Sequence, residues 1–169
     1  MTSGRDGIRV AAPAEYPRLR EIEEEADRMF LEIGMAPFAV SDEENHLAQA
    51  AVVLVCGDPA VGFACVDVVD GEAHLWQVSV LPSHGRRGLG RALVESVCAW
   101  ARQEGYPSVT LTTFRDVPWN GPFYSSMGFH VVDDLPPGLQ QIREHERAVG
   151  DDALGVRVAM RKPLAPYAP

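Results

Sequence analysis

Between an alternating apolar strand and a helix, residues 81–90 read Leu-Pro-Ser-His-Gly-Arg-Arg-Gly-Leu-Gly. This strand–turn–helix order limits the fold more than any other feature of the chain. Behind the turn, Leu89, Leu93, Val94, Val97, Trp100 and Ala101 recur at helical spacing until Gly105. Val109 to Phe114 then reads as a strand. A strand, a tight turn, a helix and a strand make a crossover, which lays the second strand parallel to an earlier one. A parallel pair beside the hairpins described next requires a mixed α/β sheet.

The rest of the chain supplies the other layers. Ile8 to Ala12 reads as a first strand. Pro13 and Pro17 open a helix whose apolar face is Leu19, Ile22, Ala26, Met29, Phe30 and Ile33, and Gly34 ends it. Its other face carries Glu21, Glu23, Glu24, Glu25 and Asp27. Ser41-Asp-Glu-Glu44 has the form of a capping box for a second short helix running to about Ala50. Val52 to Cys56, Val61 to Val69 and Ala73 to Val80 read as an antiparallel meander, with Asp70-Gly71 as its hairpin signal. A short helix over 123–127, a strand over 129–132, a helix over 139–149 and a strand over 156–160 complete the expectation. The result is one domain, residues 1–169, with a central sheet of about six to seven strands flanked by helices.

The turn has a chemical meaning. Its glycines expose successive backbone N–H groups, and the helix start adds partial positive charge. Residues 81–103 hold Arg86, Arg87, Arg91 and Arg102 against Glu95 alone, within a chain of net charge −9. That local excess is the footprint of an anionic ligand, although Gly-x-Gly alone is equally an ordinary tight turn. The dinucleotide fingerprint fails because position 93 is Leu, and the P-loop pattern fails because positions 91 and 92 are Arg and Ala. The overall acidity argues against a general nucleic-acid binder. No apolar run approaches the roughly 18 residues of a membrane span, and the polar start lacks a signal core, so a cytoplasmic protein is expected. Cys56, Cys65 and Cys98 lie in apolar stretches without Cys-x-x-Cys spacing and read as buried thiols. The histidines show no metal spacing, so no metal is expected.

Two motifs are more specific together than apart. Val80-x-Pro82 leads into Gly88-x-Gly90 within one strand–turn–helix, and Tyr124-x-x-x-Gly128-Phe129 follows the next strand. Over about Val52 to Val132 the chain resembles the GNAT superfamily of acetyl-CoA-dependent N-acetyltransferases. The segment from Thr112 to Tyr124, Thr-Thr-Phe-Arg-Asp-Val-Pro-Trp-Asn-Gly-Pro-Phe-Tyr, is similar to a bacterial subgroup of that superfamily. The resemblance implies the GNAT fold, with acetyl-CoA as co-substrate. It implies that Arg86, Arg87, Gly88, Leu89, Gly90 and Arg91 hold the CoA pyrophosphate. It also implies that Val78, Ser79 and Val80 pair with the pantetheine arm, the Val78 N–H falling near the thioester carbonyl. Two positions depart from the family pattern. Gly85 stands where Gln or Arg is usual, with Arg one place later. Val117 stands where many relatives have Asn, and Asn120 is the candidate to replace that contact.

Acetyl transfer from a thioester to an amine needs a base for the amine, donors at the carbonyl and a proton for the leaving thiolate. By the same resemblance Tyr124 is the general acid; a phenol with a reference pKa near ~10 holds its proton at neutral pH. The position of the base in histone-type relatives falls on His74, which equally well only flanks the hairpin. Gln77 has no useful basicity but could orient substrate or water. His46 lies on the second helix, near the acceptor in this superfamily. Trp76, Trp119 and Phe123 are acceptor-pocket or core aromatics. The region up to residue 50 holds five arginines and eleven acidic residues. It forms either an acidic rim for a cationic amine or a solvated helix face. The expected function is acetylation of a small primary amine by direct transfer in a ternary complex. The alternatives are acetylation of a protein N-terminus or lysine, a CoA-binding regulatory module without catalysis, and a plain partner-binding domain. The oligomeric state is not readable from the sequence, though homodimers are common in this superfamily; neither nucleic acid nor membrane is expected as partner.

Overall fold

The computed structural model describes residues 7–35, 46–166 and 168. The elements are β1 (Ile8–Val10), α1 (Tyr16–Glu32), α2 (His46–Gln49), β2 (Val52–Gly57), β3 (Ala60–Val69), β4 (Glu72–Val80), α3 (Leu89–Gln103), β5 (Ser108–Phe114), α4 (Gly121–Ser126), β6 (His130–Val132), α5 (Pro137–Ala148) and β7 (Arg157–Pro163). Seven strands form one sheet in the order β1-β2-β3-β4-β5-β7-β6. The crossover through α3 makes β5 parallel to β4, as its turn–helix pattern requires. The last strand enters between its predecessors: β7 runs antiparallel to both β5 and β6. The mixed α/β sheet with flanking helices is the fold expected from the sequence. Among the described residues, no helix is long and apolar enough to cross a membrane.

The chain divides into two compact units, Met1–Asp67 with Leu75–Trp100, and Val68–His74 with Ala101–Pro169. The core of the first unit gathers Leu19 and Ile22 of α1, Leu47 of α2, Val53 and Val55 of β2, and Phe63 and Cys65 of β3. Leu19 and Ile22 are fully buried, each contributing about 1.5–3 kcal/mol through loss of apolar surface to water. The acidic face of α1 divides. Glu21, Glu24 and Glu25 are exposed, whereas Glu23 and Asp27 are half-buried. Ile33, expected on the apolar face, is 49% exposed, because α1 ends at Glu32 and the chain turns away there. The capping box at Ser41–Glu44 lies outside the described residues; α2 is described from His46. Ahead of α1, Arg9 forms a two-pronged pair with Glu15 at 2.8 and 2.6 Å, and Glu15 also accepts the Ala12 N–H at 2.8 Å.

The second unit is built on β5, whose Val109, Leu111 and Phe114 are buried with Phe129, Leu139 and Met160. The Asp70-Gly71 hairpin has both residues at positive φ (55° and 73°), the geometry of the two-residue turn that Asp-Gly favours. The Asp70 carboxylate accepts the N–H groups of Gly138 and Leu139 at 2.7 and 2.9 Å, and so caps α5. Buried polar groups are matched with charge: Glu146 meets Arg143, Arg157 and Thr112, while Glu72 meets Arg161 and Ser108.

Candidate active site

In the first unit the turn after β4 has the backbone that its glycines predict, with one inversion. Gly88 lies at φ 78°, where a glycine is at ease. Arg86 also lies in the left-handed region, at φ 61°, while Gly85 beside it is extended. The residue without a Cβ is therefore one place before the position that needs it. Arg86, Arg87 and Arg91 are exposed. The ladder of α3 begins with the Ala92 N–H donating to the Gly88 carbonyl at 2.9 Å, so the amides of Leu89 and Gly90 precede it. Exposed guanidinium groups around a helix start can bind phosphate oxygens.

The end of β4 is ordered by its antiparallel neighbour. The Leu81 N–H donates to Val61 O on β3 at 2.9 Å. A Cβ on Gly62 would come within 3.1 Å of Ser79 O, so glycine permits that close approach. Because backbone groups alternate along a strand, Ser79 and Leu81 face β3, and the N–H and C=O of Val78 and Val80 face away from it. The parallel ladder with β5 is confined to Ala73↔Val109 and His74↔Thr110. Ser79 is buried and accepts a hydrogen bond from the Gln77 amide at 2.8 Å. A small cleft beside this strand is lined by Arg20 and Glu23 of α1, His46 of α2, and Trp76 and Gln77 of β4. Trp76, of the three aromatics expected in an acceptor pocket or the core, is the one that lines this cleft.

In the second unit Tyr124 sits in α4. Its ring meets Phe123 and Phe129 edge-on, with centroids 5.1 and 5.6 Å apart. Burial pushes the Tyr124 phenol up to about 12, which holds the proton on the oxygen. Gly128 lies at φ 92° and lets the chain turn from α4 into β6, the Phe129 N–H returning to Tyr124 O at 3.1 Å. The approach to α4 depends on Gly121, where a Cβ would stand 2.3 Å from Arg115 O. Asn120 Oδ1 accepts the Phe114 N–H at 3.4 Å, tying this loop to the end of β5. His74 is 1% exposed and its Nδ1 lies 2.9 Å from Thr110 Oγ1. The three cysteines are buried, and burial pushes the Cys56 thiol up, away from the reactive thiolate.

The acidic run on α1 reads either as a rim for a cationic amine or as a solvated face, and neither reading singles out Arg20 and Glu23, which line the cleft. The placement of Glu23 one residue after the buried Ile22 was the available signal.

Residues 13–129 match the model of the acetyltransferase (GNAT) family. Three solved structures illustrate the likeness in fold. N-acetylglutamate synthase from Neisseria gonorrhoeae, complexed with coenzyme A and N-acetyl-glutamate, is 18% identical with a TM-score of 0.67; the match covers 94% of this chain and 35% of that one. The present chain thus spans about a third of that enzyme's length. The PaiA N-acetyltransferase from Thermoplasma acidophilum, in complex with coenzyme A, is 15% identical with a TM-score of 0.65, covering 92% and 97%. The ribosomal-protein-S18-alanine N-acetyltransferase from Escherichia coli is 21% identical with a TM-score of 0.65, covering 95% of each chain.

Proposed function

The chain belongs to the GNAT family of acetyltransferases, and from that premise we propose that it transfers an acetyl group from acetyl-CoA to a small primary amine. The observation that carries this reading is the turn after β4, where Arg86, Arg87 and Arg91 stand exposed around the start of α3. Bound acetyl-CoA supplies an acyl group already activated as a thioester. The amides of residues 86–91 and the three guanidinium groups take the pyrophosphate. Val78, Ser79 and Val80 offer the pantetheine arm a strand to pair with, and the outward N–H of Val78 is suited to the thioester carbonyl. Asn120 is the further contact inferred for CoA.

The Tyr124 phenol gives its proton to the departing sulfur as the new C–N bond forms and the C–S bond breaks, and the proton that the attacking nitrogen sheds on becoming an amide restores the phenol. Its burial supports this role, since a phenol held at about 12 keeps its proton throughout the physiological range. His74, one candidate base from the sequence, is enclosed and engaged with Thr110. Direct transfer is favoured over an acyl-enzyme because the cysteines are buried in the core. The test is free-thiol release from acetyl-CoA across polyamines, aminoglycosides, amino acids, arylamines and short peptides. Turnover with one small-amine class supports the proposal. Turnover with peptides alone moves the acceptor to proteins, and CoA binding without turnover makes the chain a regulatory module.

A further inference from the structure

His46 stands at the start of α2 with its ring stacked on Trp76, centroids 4.0 Å apart and planes 24° from parallel. Its Nε2 is buried and, among the described residues, has no hydrogen-bond partner. Native proteins rarely leave such an atom unsatisfied unless water, a ligand or a reaction uses it. The ring lines the cleft beside β4, next to Gln77. The Gln77 amide nitrogen is directed to Ser79 Oγ at 2.8 Å. The stack on Trp76 sets the plane of the imidazole. The other titratable or charged groups lining the cleft are Arg20 and Glu23 from α1 and Cys65 from β3. Trp76 and Gln77 of β4 bring no charge.

We propose that His46 Nε2 receives the proton that an aliphatic ammonium acceptor loses before acetyl transfer. This rests on the acetyltransferase reading of the chain. In the neutral ring with its hydrogen on Nδ1, Nε2 holds a lone pair. An N–H bond of the ammonium breaks, an Nε2–H bond forms, and the freed nitrogen lone pair attacks the thioester carbonyl carbon. The imidazolium then returns its proton to water. His74 is less suited to this step, being 1% exposed with Nδ1 engaged by Thr110. The role is specific to one substrate class, because an arylamine is already neutral at pH 7 and has no such proton to lose before attack.

The experiment compares the wild type with His46→Phe and His46→Gln, by thiol release from acetyl-CoA between pH 6 and 10. Spermidine and glycine serve as aliphatic acceptors and aniline as the arylamine. His46→Phe keeps a ring to stack on Trp76 and removes the nitrogen; His46→Gln keeps polarity and removes the basicity. The expected result is a fall in kcat/KM of about 10²-fold for the best aliphatic acceptor at pH 7 in both variants. The loss should shrink as pH rises and the free amine becomes abundant, with the KM for acetyl-CoA unchanged. Where aniline is a substrate, its turnover should fall less than about threefold, because no proton need leave its nitrogen first. No loss for the aliphatic acceptor, or a loss unchanged across the pH range, overturns the proposal. Wild-type protein that releases no thiol with any amine overturns the acetyltransferase reading instead, and this one with it.

Discussion

Tyr124 shows how one side chain ties environment to chemistry. Its ring is packed against Phe123 and Phe129, and burial alone lifts the phenol to about 12. Tyr124→Phe is expected to lower kcat by about 10²-fold while leaving CoA affinity intact, as measured by steady-state kinetics and by calorimetric titration with CoA. Since the phenol titrates near 12, the wild-type rate should show no alkaline fall from this group below about pH 10. Glu15 is displaced in the opposite direction. The Arg9 guanidinium, helped by the Ala12 N–H, holds its carboxyl down at about 2 from an ordinary 4.5. The stabilisation is therefore complete above about pH 4.5 and is lost as pH falls through about 2. Arg9 is 38% exposed, so solvent screens the pair, and Glu15→Gln is expected to cost about 1–2 kcal/mol at pH 7. Urea denaturation at pH 7 and again near pH 2 should show that difference and then its disappearance.

At the scale of elements, the turn after β4 and the loop before α4 carry the local irregularities. Arg86 occupies a left-handed backbone while the adjacent Gly85 does not. Arg86→Gly removes the strain of the left-handed backbone, and thermal melting should report a gain of about 1 kcal/mol; adding Gly85→Arg as well sets a Cβ 3.2 Å from Pro82 O and should reduce that gain. The loop before α4 behaves otherwise. Gly121 is required by the 2.3 Å approach of Arg115 O to a would-be Cβ, so Gly121→Ala should cost about 2–3 kcal/mol in chemical denaturation. The elements differ in how legible they were. The β4–α3–β5 crossover and the Asp70-Gly71 hairpin follow from short-range patterns of apolar spacing and turn chemistry, and both stand as expected. The insertion of β7 between β5 and β6 depends on pairing across long stretches of chain, which local spacing does not encode. Gly121 was equally illegible, because what excludes a side chain there is a carbonyl six residues away, brought close by the fold.

For the molecule as a whole, charge is the property most open to test. Three of its fifteen basic residues, Arg86, Arg87 and Arg91, sit around the turn that leads into α3, yet the chain carries −9 overall. Such a field draws cationic acceptors in and is weakened by salt. The KM of a polyamine should therefore rise several-fold between 50 and 500 mM salt, while that of an uncharged arylamine stays nearly constant. The candidates at 86–91 and 124–129 could be named from the sequence because each is a contiguous run. At the cleft, His46 and Trp76 were candidates from the sequence, but their meeting with Arg20 was not foreseen, because the three come from separate elements. Asp70 has a practical consequence in the same vein. Exposed hairpin tips are the usual choice for splicing in epitopes, tags or new termini. Here the tip is also the N-terminal cap of α5, its carboxylate occupied by the amides of Gly138 and Leu139. A sequence inserted after Asp70 would unseat a helix far along the chain, so protein engineers should treat this short loop as an internal joint and graft elsewhere.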